Sequence, residues 1–419
     1  MKRLAYAVLF SAAIPLAAAT LKVGRPNTGC NQAQYTAIGD AVKAASAGDL
    51  IEICPGLYQE QLTITKPLTL AGLQTEISGQ LVNRVVIQPS SLATTVVSDG
   101  AVSGAPVTAV ISVIGANGVS IQNLAIDASQ NHINGCALLV AGIYFHNSSG
   151  QIRNNAVFGA DVPSCAPTKA VQNGSGFGIE IDADANSTFS VLVDRNSIHD
   201  FSKEGVLVLG TGVTATISNN TISGVGPSAR AFQFGVFILN GAVGHVRNNA
   251  ITEGLCGVLS ASSCLALRSE GVVLKAVGDG TTVDGNTIVN AQYGIFINGA
   301  NLARIANNQI RNIDAGNGID IQGTASGAFA NSLVAGNMIF HVGPIDQNAS
   351  LNQRGCGIEE YAGTGVSGNT IVNNTVSDAF CGVAAVEADF VVSGTYTNTL
   401  YPLLDADLYP ITFPPATEP

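Results

Sequence analysis

A Gly followed by alternating apolar residues recurs along the chain with an Asn-bearing turn. Together the two motifs predict an all-β fold, a right-handed, single-stranded parallel β-helix with an N-terminal capping helix. The Gly element reads GIYF at Gly142, GIEI at Gly178, GVLV at Gly205, GVFI at Gly235 and GVVL at Gly271. It continues as GIFI at Gly294, GIDI at Gly318, GIEE at Gly357 and GVAA at Gly382. The turn element lies at Asn154-Asn155, Asn196, Asn219-Asn220, Asn248-Asn249, Asn286, Asn307-Asn308, Asn337 and Asn369. From each Gly to the last Asn of its unit is 12 to 19 residues.

Each unit reads as a few short strands joined by tight corners, where Asn and Gly tolerate positive φ. Alternation sends Ile143 and Phe145 inward and Tyr144 outward. No unit can bury its apolar face alone, so stacked neighbours must build one continuous core. The Leu-rich consensus of the rival solenoid is missing. Helical periodicity occurs once, at Ile38, Ala41, Val42 and Ala45. A short amphipathic helix there is the expected lid on the first coil, whose open edge would otherwise recruit other chains.

The ends and the composition frame this reading. Lys2 and Arg3, the apolar run Leu4 to Ile14 and Ala17-Ala18-Ala19 have the pattern of an export signal. The expected organisation is a signal over 1–19, the β-helix over 20–400 and a Pro-rich tail over 401–419. The apolar run is too short for a transmembrane segment, so a secreted or periplasmic location is expected. With no Trp, 47 Gly and 11% charged residues, the chain is neither disordered nor rich in sugar-stacking aromatics. A net charge of −11 disfavours nucleic acid, anionic membranes and, unless a cation bridges, polyanionic glycans. Eight cysteines in an exported chain suggest disulfides between sequence neighbours. The pairs are Cys30 with Cys54, Cys136 with Cys165, Cys256 with Cys264, and Cys356 with Cys381.

The segment YTAIGDAVKAASAGDLIEICPGLYQEQLTITKPLTLAGL, Tyr35 to Leu73, resembles the opening of pectin methylesterases and of periplasmic copper-delivery β-helix proteins. The later GI-x-I and NNTI units resemble the generic parallel β-helix repeat, and together the two cover nearly the whole mature chain. This resemblance implies a fold rather than an activity. Gly56, Tyr58 and Glu60 match the methylesterase opening, but the QDT and DFIFG segments carrying that family's catalytic carboxylates are missing. The polygalacturonase and mannuronate epimerase signatures are missing too. Copper ligands would have to come from Met338 and five scattered His.

Two constellations can carry chemistry. In GIEIDADANS, the residues Glu180, Asp182, Asp184 and Asn186 share one outward face if the strand stays extended. Carboxylates so close favour a bound cation or one raised pKa. Oxygen-only ligands suit Ca²⁺, making Glu180, Asp182 and Asp184 the candidate metal ligands. Ser187 and Val193 at positions six and twelve rule out an EF-hand loop. The neighbouring coil should set Tyr144 and His146 beside Glu180 and Asp182, with Lys203 and Arg230 at nearby corners. The second constellation is Asp320, Glu359, Glu360, Tyr361 and Arg354. There Asp320 and Glu359 should face outward on adjacent coils, a pairing that suits glycoside hydrolysis. Glu360 falls at an inward position, through a bulge or paired with Arg354. Glu180, Asp182, Asp320 and Glu359 are thus the candidate catalytic residues. Tyr144, His146, Phe237, Phe296 and Tyr361 are the candidate substrate-binding ones.

Between the acidic ends, the outward stack reads Leu207, Phe237, Val273 and Phe296, a binding row if exposed and a covered one if loops overhang. Chain length varies mainly between an Asn turn and the next Gly, with expansions over 158–177, 223–234, 252–270 and 338–356. In a solenoid these should emerge along one edge and wall the GI-x-I face, where ligand-binding residues concentrate. Two readings stay open. One is a lyase or hydrolase acting on extracellular or envelope polysaccharide. The other is a non-catalytic carbohydrate-binding or surface-structural rod.

Overall fold

The computed structural model describes residues 18–25, 30, 32–77, 80–94, 96–97, 106–135, 138–162, 176–184, 187–225, 232–252, 269–314, 316–322, 329–343, 355–361, 366–385 and 392–404. The expected solenoid forms. One coil runs through Glu204–Leu209, Val213–Ser218 and Thr221–Ser223, and the next through Gln233–Leu239, Val243–Arg247 and Ala250–Thr252. Corresponding strands pair in parallel, with Val206 opposite Val236, Ile217 opposite Val246 and Ile222 opposite Ile251. The inward stack Ile143, Ile179, Val206, Val236, Val272, Ile295, Ile319 and Ile358 keeps this register and is wholly buried. Non-directional burial of branched side chains thus runs the length of the rod.

The repeat glycines serve a purpose different from the expected one. Gly178 and Gly205 do not adopt positive φ. They are needed for space: a Cβ on Gly178 would lie 2.4 Å from Ile198 Cγ2 and 2.6 Å from the Gly205 carbonyl oxygen. Positive φ falls instead on the first residue of the Asn turns, such as Asn154, Asn219, Asn248 and Asn307. The second Asn turns inward and stacks. Asn155, Asn196, Asn220, Asn249, Asn286, Asn308, Asn337 and Asn374 form a buried ladder, each 2% exposed or less. In each step the side-chain oxygen accepts from the backbone N–H and the amide of the Asn one coil earlier. The last rung of the ladder is Asn374 rather than Asn369. Asn369 sits at another corner, where its amide donates to the Phe329 carbonyl and to Glu360 Oε1, both at 2.9 Å.

At the N-terminal end the helix Ile38–Ala44 lays Ile38, Ala41 and Val42 on the core. Glu60 holds its first turn, accepting from the Ile38 and Gly39 N–H groups at 2.9 and 2.8 Å. The helix N-terminus leaves such donors open, and an anionic side chain is the favoured partner. Tyr58 is buried and donates its hydroxyl to the Cys54 carbonyl at 2.8 Å. Disulfides join Cys30 to Cys54 and Cys356 to Cys381. The second pair lies in register on adjacent coils, with a Cα separation of 4.5 Å. Cys136, Cys165, Cys256 and Cys264 lie outside the described residues. Among the described residues no helix is long and apolar enough to cross a membrane. The last described strands are Thr370–Ala385 and Val392–Leu404.

Candidate functional site

The GI-x-I strands build the site. Strand Leu139–His146 pairs with Phe177–Asp182, setting Tyr144 against Glu180 and His146 against Asp182, as the sequence pattern requires. Glu204–Leu209 follows, with Glu204 opposite Phe177 and Leu207 opposite Glu180.

Asp182 is the hub. Its Oδ2 accepts the Tyr144 hydroxyl at 3.0 Å, and its Oδ1 lies 2.7 Å from His146 Nδ1. The Asn147 amide reaches His146 Nε2 at 3.0 Å and Asp184 Oδ2 at 2.6 Å. With the Asn147 amide at Nε2, Nδ1 is the ring nitrogen turned to Asp182. Tyr144, Asp182 and Glu180 are 0%, 2% and 0% exposed.

Glu180 is different: neither carboxyl oxygen has a hydrogen-bond partner. Burial, with the Asp182 and Glu204 charges, lifts its pKa well above the usual carboxylate range, against the pull of Lys203. Glu204 is buried too, and burial pushes it up to about 7 despite the adjacent Lys203. Lys203 Nζ stands 3.4 Å from Glu204 Oε1 and 5.8 Å over the Phe177 ring. The result is a buried carboxyl whose surroundings favour its protonated form, two residues from Asp182, which Tyr144 and His146 orient.

The expected three-carboxylate Ca²⁺ set does not gather. Asp182 spends its oxygens on Tyr144 and His146, while Asp184 turns to Asn147 and is half-exposed. Among the described residues no three His, Cys, Asp or Glu side chains come together to hold a metal ion. Asn186 and Arg230 lie outside the described residues.

At the far end of the same face, Asp320 and Glu359 are in register on adjacent coils. The Asn317 amide bridges them, donating to Asp320 Oδ2 at 2.9 Å and to Glu359 Oε2. Asp320 is buried and Glu359 partly exposed. Glu360 points inward opposite Ile321 without a bulge and is held by Asn369. Arg354 and the Tyr361 side chain lie outside the described residues. The row between the two ends is not an open platform. Leu207, Phe237, Val273 and Phe296 form a second apolar cluster with Tyr144 and Phe177, at 8% exposure or less. Phe237 and Phe296 pack edge-on against Phe234 and Tyr293. That removes the basis for reading them as exposed sugar contacts.

The expansions share one corner at their described ends. Each leaves a strand of the column Ala156–Phe158, Thr221–Ser223, Ala250–Thr252 and Met338–Val342. Each returns into a GI-x-I strand, at Phe177, Gln233, Ser269 or Cys356. Residues 163–175, 226–231, 253–268 and 344–354 within them lie outside the described residues, as does the alternative coil start at Cys256-Gly257-Val258.

A family model, the right handed beta helix region, matches residues 141–339. The chain folds as a right-handed parallel β-helix. Solved structures agree on the fold. The GH136 lacto-N-biosidase of Eubacterium ramulus aligns with a TM-score of 0.58 at 9% identity, over 91% of this chain and 67% of that one. The Dettilon tailspike protein aligns with a TM-score of 0.50 at 15% identity, over 85% of this chain and 62% of that one. At such identities the likeness is one of fold. No curated protein matches the sequence.

Within this β-helix, sequence reasoning missed Glu204, Asn147 and Asn317. Glu204 had a signal: it directly precedes Gly205, a position that is apolar at Ala141, Phe177, Phe234 and Tyr293 and polar only at Glu204, Glu270 and Asn317 among these repeats. Asn317 stands in that same column, directly before Gly318, whereas Asn147 had no signal, since it acts from a corner outside the repeat.

Proposed function

We propose that this chain is an exported, carbohydrate-active β-helix, a hydrolase of neutral glycans whose reacting groups are Glu180 and Asp182. What carries the reading is the contrast between the two carboxyls. Glu180 is buried and unpartnered, with burial raising its pKa, while Asp182 is oriented by Tyr144 and His146. Titratable neighbours whose environments push them apart are the usual mark of an acid and base assignment. In this mechanism Glu180 gives its proton to the glycosidic oxygen as the bond from that oxygen to the anomeric carbon breaks. Water attacks the anomeric carbon and passes its proton to Asp182, and the two carboxyls then exchange that proton through solvent. Tyr144 and His146 hold Asp182 in place.

A lyase acting on acidic sugars is less well supported. Lys203, the cation whose charge acts on Glu180, is engaged by Glu204, and the chain carries a net charge of −11. The family name of the lacto-N-biosidase that shares this fold is consistent with a glycan-cleaving role. Two disulfides support an oxidising compartment.

One observation favours the second reading, a non-catalytic rod: Tyr144 and Glu180 are 0% exposed, so the centre is closed in this conformation. Reducing-end release from a panel of neutral and acidic polysaccharides separates the two. The hydrolase reading expects release from a neutral glycan, lost in both Glu180→Gln and Asp182→Asn while the far-UV spectrum is retained. No release by the wild-type protein from any glycan, or release that survives both substitutions, overturns it.

A further inference from the structure

The outward column that holds Tyr144 and Glu180 continues toward the N-terminal end. Ser112 stands in register with Tyr144, and Thr63 with Ser112, so four paired strands present Thr63, Ser112, Tyr144 and Glu180 in turn. Alternation sends Ile111 and Val113 into the core and leaves Ser112 on the face of Tyr144. Thr63 is exposed, whereas Ser112, Tyr144 and Glu180 are 0% exposed. Thr63 also lines a hollow beside the capping helix, with Asp40, Lys43 and Gln61. Beyond Glu180 the column turns apolar, through Leu207 and Phe237. The Tyr144 hydroxyl donates to Asp182. The Ser112 hydroxyl, like both Glu180 oxygens, has no hydrogen-bond partner in the protein. Burying a hydroxyl without a partner is unfavourable, and buried polar groups in folded proteins are as a rule paired. An apolar side chain would hold the Ser112 position without that penalty, as Leu207 and Val273 do further along. The two unmet groups flank Tyr144 in one column, about 10 Å apart at strand spacing. A ligand bearing hydroxyls and lying along the column meets both.

We propose that Ser112 is a specificity-determining residue of the Glu180 site, whose hydroxyl takes a hydroxyl of the sugar next to the cleaved bond and so lays a neutral glycan toward the N-terminal coils. The inference rests on reading Glu180 and Asp182 as the reacting groups. Cleavage then falls at the inner end of the polar stretch, where the packed Leu207–Phe296 row closes the track. A site built around a substrate hydroxyl discriminates strongly against a sugar that lacks it, because the protein group is then left unmet.

The test separates binding from folding. Calorimetry compares Glu180→Gln with the double variant Glu180→Gln/Ser112→Ala against neutral tetrasaccharides of gluco, galacto and manno configuration. The double variant is expected to bind the recognised tetrasaccharide about 2–10-fold more weakly. With Glu180 intact, Ser112→Ala should raise KM by the same factor and leave kcat in place. Ser112→Ala should not lower the urea midpoint, since the free protein loses no partner of that hydroxyl. A lower midpoint marks a structural hydroxyl and overturns the proposal. Binding indifferent to Ser112→Ala, or no binding of any tetrasaccharide by Glu180→Gln, overturns it as well. Weaker binding in the double variant with no glycan cleaved by the wild type would leave the Ser112 contact standing and sink the hydrolase. Cleavage lost in Glu180→Gln, with binding indifferent to Ser112→Ala, would do the reverse.

Discussion

Asn249 lies mid-way along the buried amide ladder, and Asn249→Ala removes four hydrogen bonds at once. Its amide donates to the Ile217 carbonyl and to Asn286 Oδ1, both at 2.9 Å. Its oxygen accepts from the Asn220 backbone N–H and the Asn220 amide, both at 2.9 Å. Two of these partners keep another bond: the Asn220 amide still reaches the Val193 carbonyl, and Asn286 Oδ1 still accepts from the Asn249 N–H. The Asn220 N–H and the Ile217 carbonyl lose their side-chain partner in the interior. A buried group left unmet costs about 1–3 kcal/mol, a weakened one less. The expected loss is therefore about 3–5 kcal/mol, at the severe end for one substitution. Asn155→Ala, at the ladder's first rung, removes three such bonds, and its loss should be smaller by about 1 kcal/mol. Asn219→Ala next door gives up a favoured positive-φ residue and one amide hydrogen bond, to Asp194 Oδ1 at 2.8 Å, and should cost about 1–3 kcal/mol. Urea denaturation of the three variants beside the wild type, compared at equal m-value, reads the differences. If Asn249→Ala is no worse than Asn219→Ala, the ladder contributes nothing beyond its backbone and the argument fails.

Stability should also depend on pH through Glu204. Its folded pKa of about 7 lies above the ordinary value of 4.5, so the native state binds more protons between those values. Stability from this group is full below pH 4.5 and falls by about 3 kcal/mol as pH rises to 7, a slope that Glu204→Gln should flatten in denaturation at pH 4, 6 and 8. Replacing Cys356 and Cys381 with Ser opens a bridge of sequence separation 25 and should cost about 3 kcal/mol, measured as a lower denaturation midpoint under non-reducing conditions. Gly178→Ala should cost about 2–3 kcal/mol, because one of the two atoms its Cβ meets is a backbone oxygen that cannot move aside. Gly280→Ala, at positive φ with open space, should cost about 1 kcal/mol.

Features that repeat with the coil were legible in the sequence. The inward isoleucines, the facing of Tyr144 with Glu180 and of Asp320 with Glu359, and the stacking of Cys356 on Cys381 all follow from one register. Physical causes were less legible than positions. The glycines were read as corners needing positive φ, yet Gly178 is there because neighbouring coils leave no room for a Cβ. Gly56-x-Tyr58-x-Glu60 read as the start of an enzyme family, while Tyr58 and Glu60 tie down the first coil and its helix. Whether the Phe237–Phe296 row is open or covered depends on contacts beyond the repeat, which periodicity does not encode. The Asp182 hub was half legible: its register neighbours were foreseen, but the turn of Asp184 toward Asn147 follows from a corner outside the period.

The two ends of the rod are secured by different chemistry. In a stack where each layer leans only on its neighbours, melting starts most readily at an end, like the fraying of a zipper. At the front, Glu60 and the Cys30–Cys54 bridge bind the first layer and its helix. Toward the back, the Cys356–Cys381 bridge rivets two consecutive layers just before the last described strand, Val392–Leu404. A reducing environment removes both rivets but leaves the Glu60 clasp in place. Loss of structure in thiol should therefore run from back to front, and amides of Thr370–Ala385 should exchange before those of Leu50–Ile53. Covalent chemistry then gives a uniform rod a direction in which it comes apart.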